Sequence, residues 1–240
     1  MSNGKIIILE GTSCVGKTTL CKNLIKQNWI VLPEAIRYLE KETGKKGDEA
    51  SPIPNSIEEE KYYQDQLFRI EWEKLIEANR LRNQGKNVVI DKSAIATVAT
   101  AKVFETQKGF KGTFKRAFLK YCDMVKRLDK KGFIECDAFI LLTANYDSIC
   151  NRNQKRGHIL EGIWIEKDTI ENQRYVLEKM LKNIVGNIGK NNIRKLFLDT
   201  TNLSEKQVVE KFNSYIIYRK INAVREENTN DRSSHTYELF

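Results

Sequence analysis

The sequence predicts an α/β fold: a five-stranded parallel sheet with helices on both faces and a helical lid. Three observations lead there. Five short apolar runs recur along the chain, each followed by a segment of helical periodicity. A glycine-rich stretch sits between the first run and the first helical segment. The 240 residues are enough to bury a sizeable core in one domain.

The elements follow in order. Lys5–Glu10 (KIIILE) reads as a buried strand and Gly16–Gln27 as the helix after it. Trp29–Leu32 is a short second strand ending at Pro33. The stretch 44–55 holds two of the three prolines and reads as an exposed loop. Residues 57–83 form a long helix, with Phe68, Trp72, Leu75 and Ile76 at helical spacing and Gly85 as its stop. Asn87–Asp91 is a third strand. Phe114, Phe118, Tyr121, Val125 and Leu128 step by four and three along an amphipathic helix. Asp137–Thr143 is a fourth strand, followed by helices over 145–156 and 168–187. Lys195–Asp199 is the last strand, and 204–218 the last helix, with Ser204 as N-cap. Residues 1–224 are expected to form one domain and 225–240 a polar, frayed tail.

Composition narrows the class. Hydrophobic residues make up 40% and charged residues 30%, which excludes wholesale disorder. The longest apolar runs, IIIL and AFILL, are far shorter than the roughly 20 residues of a membrane span. Five scattered cysteines, with no CxxC and only two histidines, give no zinc pattern and read as reduced thiols. A cytoplasmic, soluble protein is expected. The net charge is +9, and residues 102–131 carry ten Lys/Arg against three Asp/Glu. Such a stretch can bind nucleic acid, but charge runs are more often a solvated helix face. Here the basic residues interleave with a regular apolar stripe, so nucleic-acid binding is not favoured.

Gly11, Thr12, Ser13, Cys14, Val15, Gly16, Lys17 and Thr18 fit GxxxxGK[ST]. The motif follows a strand and opens a helix, the placement a phosphate-binding loop needs. It predicts the P-loop NTPase fold and ATP with Mg²⁺ as cofactors. Backbone N–H groups through Thr19 would surround phosphate oxygens, Lys17 would reach the β- and γ-phosphates, and Thr18 would ligate Mg²⁺. Cys14 occupies a variable position of the loop.

Three further groups bear on the reaction. Glu34, after Pro33, lies at the carboxyl edge of the second strand, where open α/β sheets bind ligands. It can take the proton of an attacking hydroxyl, or simply favour the N-terminus of a helix over AIRYL. Arg37, one turn on, can pair with Glu34 or touch substrate. Asp91 and Lys92 end the third strand; Asp91 can hold Mg²⁺ and Lys92 can neutralise a moving phosphoryl group, or Asp91 can be a helix cap beside a surface lysine. Arg152 and Arg156 lie four apart, before Gly157 and His158; two guanidiniums one turn apart suit a lid over an anion.

With these residues in view, GTSCVGKT, WIVLPEAIRYL, VVIDKSAIATVATAKVFE and LLTANYDSICNRNQKRGHILEGI together resemble the deoxynucleoside kinases, and more loosely the thymidylate kinases, over roughly residues 5–181. The resemblance implies Glu34 as base toward a 5′-hydroxyl. It implies Asp91-Lys92-Ser93 in place of Glu-Arg-Ser, and Arg152, Arg156, Gly157 and His158 as the lid. It implies Glu161 as a sugar contact and an aromatic-Gln pair, Tyr63-Gln64, as base reader, with Tyr62 or Gln66 by register shift. The long helix and the amphipathic helix would pair with a second subunit in a homodimer. Three departures stand out. Lys92 replaces an arginine and loses its fork, His158 replaces a lid arginine, and Glu71 occupies the place nearest an expected base-facing arginine, with Arg69 out of register.

The function expected is ATP-dependent transfer of the γ-phosphoryl group to the 5′-hydroxyl of a (deoxy)nucleoside. A monophosphate acceptor would bring two negative charges against Glu34 and Asp91, so a thymidylate kinase-like activity is the alternative. Nicotinamide riboside kinase-like chemistry, a nucleic-acid-binding NTPase or polynucleotide kinase, and a nucleotide-binding protein without transfer activity are further alternatives.

Overall fold

The computed structural model describes residues 3–50, 52–156, 159–185 and 193–217. Five strands, β1 (Ile6–Glu10), β2 (Ile30–Leu32), β3 (Val88–Asp91), β4 (Ala138–Thr143) and β5 (Arg194–Asp199), pair in parallel in the order β2-β3-β1-β4-β5. The helices are α1 (Lys17–Ile25), α2 (Ala35–Thr43), α3 (Ile57–Asn83), α4 (Ala94–Lys108), α5 (Thr113–Lys130), α6 (Tyr146–Gln154), α7 (Lys167–Asn183) and α8 (Glu205–Ile217). This is the P-loop NTPase architecture that the alternating pattern and the glycine motif predict.

The sheet is buried on both sides, which is why its central strands read as continuous apolar runs rather than alternating ones. Ile6, Ile8, Val88, Ile90, Phe139 and Leu141 point to one face and pack with α3, α4, α5 and α7. Ile7, Leu9, Val89, Ala138, Ile140 and Leu142 point to the other and pack with α1, α6 and α8. Register fixes this division: Ile7 lies opposite both Val89 and Ala138. A one-residue slip would turn each strand's apolar set to the wrong layer.

The chain runs from β1 outward to β2, returns to β3, then crosses to β4 on the far side of β1. Strand order therefore reverses at β1, and ligands of open α/β sheets bind at the carboxyl ends beside such a switch point.

Local chemistry sets the helix ends. Ser56 Oγ accepts the Glu59 N–H at 3.1 Å and caps α3, a bond worth about 1 kcal/mol. Ser204 Oγ accepts the Gln207 N–H while the Gln207 side chain accepts from Ser204 N, so the expected N-cap of α8 is present as a capping box. Gly85 takes a left-handed φ of 77° just beyond α3.

The structure corrects the sequence reading in four places. Helix α4 is not among the elements the sequence predicts, and α2 is predicted only as one of two readings of Glu34. The stretch 44–55 is not wholly an exposed loop, since it contains a 3₁₀ turn at Gly47–Glu49 and buries Ala50 and Pro54. The basic stretch 102–131 spans two helices, α4 and α5, not one face. Helix α6 ends at Gln154, two residues before Arg156. Gly157, His158 and the tail 225–240 lie outside the described residues.

Candidate phosphoryl-transfer site

The loop from β1 to α1 has the shape its sequence requires. Gly11 has φ 143°, and a Cβ there would stand 2.4 Å from the Leu142 carbonyl oxygen of β4. No side chain fits. Gly16, at φ 102°, caps α1 without a side-chain bond, and its surroundings are open, so its need is conformational. Cys14 adopts a left-handed φ of 59° between them. The first turn of α1 has no acidic residue and no side-chain cap. Its free N–H groups and positive dipole end are suited to an anion.

Lys17 is buried, and its ammonium folds back to donate to the carbonyls of Gly11 and Thr12, both at 2.7 Å. Thr18, next along, is exposed. Burial and the neighbouring Lys92 lower the Lys17 pKa; Glu34, Asp91 and Glu10 oppose them. Lys17, Glu34, Asp91 and Lys92, predicted from three separate stretches of sequence, thus form one electrostatic cluster at the carboxyl edge of β1, β2 and β3.

Glu34 occupies the N-cap position of α2 but makes no side-chain cap bond. Its Oε2 accepts instead from Lys92 Nζ at 3.1 Å. Burial alone would raise this carboxyl; the ammoniums of Lys92 and Lys17 outweigh it and hold the pKa down to about 2. Arg37 does not pair with Glu34. Its Nη1 donates to both carboxylate oxygens of Glu40, at 2.7 and 2.8 Å, and it is largely exposed.

Asp91 is buried, and its Oδ1 has no hydrogen-bond partner. Burial raises its pKa, with Lys17 pulling the other way. It is not the cap of α4: Ser93 is, its Oγ accepting from Ile95 N. An unpartnered carboxylate oxygen and the exposed Thr18 hydroxyl are hard oxygen donors of the kind Mg²⁺ takes, and Mg²⁺ needs only one or two from protein when phosphates supply others. The residues present fit that ion.

The arginines approach the loop from the other side. Arg152 donates to the Thr200 hydroxyl at 3.0 Å, to the Thr200 carbonyl and to the Cys14 carbonyl at 3.4 Å. Arg156 donates to Cys14 Sγ at 3.4 Å. The expectation of two arginines on one helical face is corrected, because α6 stops short of Arg156. They nevertheless converge on the same loop residue. Asn153, buried, closes the turn between them by pairing both ways with the Leu160 backbone.

The remaining candidates are less central. Gln64 is buried with its amide fully used. Its Nε2 donates to Glu60 at 2.8 Å and to the Thr113 carbonyl at 3.2 Å, and its Oε1 accepts from Arg116 at 2.9 Å. In this structure these bonds join α3 to α5. Tyr63 is half-buried and lies edge-on to Tyr62. Glu161 is exposed before a 3₁₀ turn at Gly162–Trp164.

Two residues beside the cluster, Glu10 and Lys74, are not singled out by the sequence, and Glu71 enters it only as the residue nearest an expected base-facing arginine. Glu10, fully buried at the end of β1, accepts from both the N–H and the hydroxyl of Ser93 at 2.8 and 2.6 Å, and burial raises its pKa to about 7. A charged residue closing an otherwise apolar strand was the available signal. Glu71 and Lys74 form a buried ion pair against the end of β3. Their spacing of three on α3 is the trace of the pair in the sequence.

Four of the ten cations of the basic stretch stand in ion pairs. Arg116 and Lys120 both meet Asp65, Lys102 meets Glu105, and Arg127 meets Asp123. Among the described residues no helix is long and apolar enough to cross a membrane.

Comparison with known proteins agrees with this geometry. No curated protein matches the sequence. Thymidylate kinase from Candida albicans superposes with a TM-score of 0.65 at 17% identity, covering 92% of this chain and 94% of that one. Deoxyadenosine kinase from M. mycoides superposes with a TM-score of 0.59 at 17% identity in its dATP-bound form, covering 91% of this chain and 99% of that one. In its dCTP-bound form the TM-score is 0.52 at 19% identity, with the same coverage. At these identities the likeness is one of fold. The family model described as AAA domain matches residues 6–126, from β1 through the loop, the Glu34–Lys92 pair and most of α5. The chain therefore belongs to the AAA-domain family of phosphate-loop proteins and carries its loop in the fold shared by thymidylate and deoxyadenosine kinases.

Proposed function

We propose that residues 1–224 form a nucleoside or nucleotide kinase domain that transfers the γ-phosphoryl group of ATP, most favourably to the 5′-hydroxyl of a (deoxy)nucleoside. The observation that carries this reading is the convergence of Glu34 and Lys92 with Lys17 and Asp91 at one sheet edge. A bare NTPase would need the loop; an acceptor carboxylate bonded to its own lysine is the additional part a transferase needs.

The loop N–H groups and the α1 N-terminus hold the phosphates, with Lys17 neutralising them. Thr18 and Asp91 would hold Mg²⁺, which when bound offsets charge on the phosphate oxygens. Glu34 orients the hydroxyl and accepts its proton. Its low pKa makes it a weak base, which suffices because in a loose transition state the nucleophile keeps its proton until late. Lys92 balances charge at the acceptor, and Arg152 and Arg156 add positive potential beside Cys14. The outer faces of α3 and α5, where Leu119 is 56% exposed, are the surface on which a second copy would pair.

One observation favours the second reading, a monophosphate acceptor. Lys92 already neutralises Glu34, which weakens the repulsion a phosphate would meet. An ADP-release assay with ATP and Mg²⁺ separates the two. Its panel holds the four deoxynucleosides, their monophosphates, nicotinamide riboside and a 5′-hydroxyl oligonucleotide. Turnover with a nucleoside supports the proposal, turnover only with a monophosphate replaces it with the second reading, and no turnover with any acceptor removes both.

A further inference from the structure

Lys74 is among the most deeply buried side chains of the protein, with 0% of its side chain exposed. A lone ammonium there would be untenable. It has three hydrogens and three acceptors: Glu71 Oε1 at 3.0 Å, the Asp91 carbonyl at 3.3 Å and the Lys92 carbonyl at 3.0 Å. Two of the three belong to the residues whose side chains stand in the acceptor cluster.

Those two residues form a strained turn. Lys92 has a left-handed φ of 57°, a conformation costing about 1–2 kcal/mol for a residue with a Cβ. Such strain persists only where surrounding contacts over-determine it. Here the Lys92 N–H donates to the Leu9 carbonyl, Ser93 bonds Glu10, and Lys74 takes the carbonyls of the turn. With its backbone held on both sides, Lys92 extends its ammonium to Glu34.

Stability alone gives a poor account of the pair. Replacing a buried ion pair by apolar groups of similar volume is often neutral or stabilising. A pair kept for packing would not need to sit on these two carbonyls.

We propose that Lys74, held by Glu71, is a positioning residue for the acceptor site: it fixes the backbone of Asp91 and Lys92 and so sets where their side chains stand relative to Glu34 and Lys17. Its catalytic consequence rests on the kinase reading above; its structural consequence does not.

The test uses the full chain carrying Glu71→Leu together with Lys74→Met, which removes the clamp without leaving an unpaired buried charge. Circular dichroism melting and binding of a fluorescent ATP analogue establish that the variant folds and keeps the phosphate loop. Amide hydrogen exchange is then read without substrate. The Lys92 and Ser93 amides should exchange at least about tenfold faster than in the parent, with those of Ile7–Leu9 and Leu20–Leu24 unchanged. Activity on the acceptor identified for the parent should show kcat reduced by about tenfold or more with the ATP KM within about threefold. Unchanged exchange at Lys92 and Ser93 overturns the proposal, and so does faster exchange with unchanged kcat. If the variant does not fold, the pair is structural and the proposal is likewise overturned. If the parent transfers phosphate to no acceptor but exchange rises locally, the kinase reading fails while the positioning role holds.

Discussion

Lys92 Nζ stands 3.1 Å from Glu34 Oε2, joining the carboxyl ends of β3 and β2 across the mouth of the sheet. The two residues are 58 positions apart in sequence, and Glu34 spends its side chain on this bond rather than on capping α2. The pair leaves Glu34 ionised at every physiological pH, since its pKa is held down to about 2. The carboxylate is thus available to a hydroxyl without prior deprotonation.

Glu34→Gln keeps the size of this side chain and removes its charge. It should lower kcat by about 100-fold or more, the range of a lost general base, while ATP affinity changes little, since no Glu34 bond to the loop is made. Steady-state kinetics in both substrates check this. Normal turnover by Glu34→Gln would remove Glu34 from the chemistry.

The two loop glycines should fail in different ways. Gly11→Ala drives a Cβ to within 2.4 Å of the Leu142 carbonyl oxygen, a backbone atom in the middle of the sheet. Thermal melting should show a large loss of stability or no folded protein. Gly16→Ala meets open space and bears only the strain of φ 102°, about 1–2 kcal/mol. It should fold with a modestly lower Tm and bind an ATP analogue weakly, because relief of the strain moves the first N–H groups of α1. Equal melting of the two variants would refute this division.

What could be read from the sequence follows burial. The strands were legible because a parallel sheet covered on both faces turns them into unbroken apolar runs, as in Ile6–Leu9 and Ala138–Leu142. Helix α4 was not, for the same reason. Ala94, Ile95, Thr97, Val98, Ala99 and Ala101 are all buried, so AIATVATAKV shows no polar face and no period of 3.6. The loop was legible from spacing alone. The Glu71–Lys74 clamp was not, because α3 carries charges on all sides and only the tertiary packing decides which of them are inside. Arg156 falls outside α6, which ends at Gln154, and nothing local foretells that Asn153 turns its side chain onto the Leu160 backbone just there.

Arg152 and Arg156 should separate by stability. Arg152 ties the Cys14 carbonyl of the loop to the Thr200 hydroxyl and carbonyl, so Arg152→Ala removes three bonds between the loop and the end of β5 and should lower Tm as well as raise the ATP KM. Arg156 is exposed, and its guanidinium donates to Cys14 Sγ. Arg156→Ala should leave Tm within about 1–2 °C, as exposed substitutions usually do, and reduce turnover with ATP. A fall in Tm for Arg156→Ala equal to that for Arg152→Ala would contradict the assignment.

Glu135 offers a pH test remote from the site. It is 3% exposed beside Tyr121, whose hydroxyl donates to it at 3.2 Å, and burial raises its pKa from 4.5 to about 7. A carboxyl raised on folding makes the native state the better proton binder. Its contribution is fully present below pH 4.5 and is lost as pH rises through 7. The shift corresponds to a stability difference on the order of 3 kcal/mol between those limits. Glu135→Gln is neutral at every pH and retains an acceptor for Tyr121. The Tm of Glu135→Gln minus that of the parent should therefore grow between pH 5 and pH 8. Other carboxyls, Glu10 and Glu60 among them, titrate in the same window in both proteins and cancel in the difference. A difference that stays constant across that range would show that Glu135 is already ionised in the folded protein at pH 5, and that burial does not dominate its charge state.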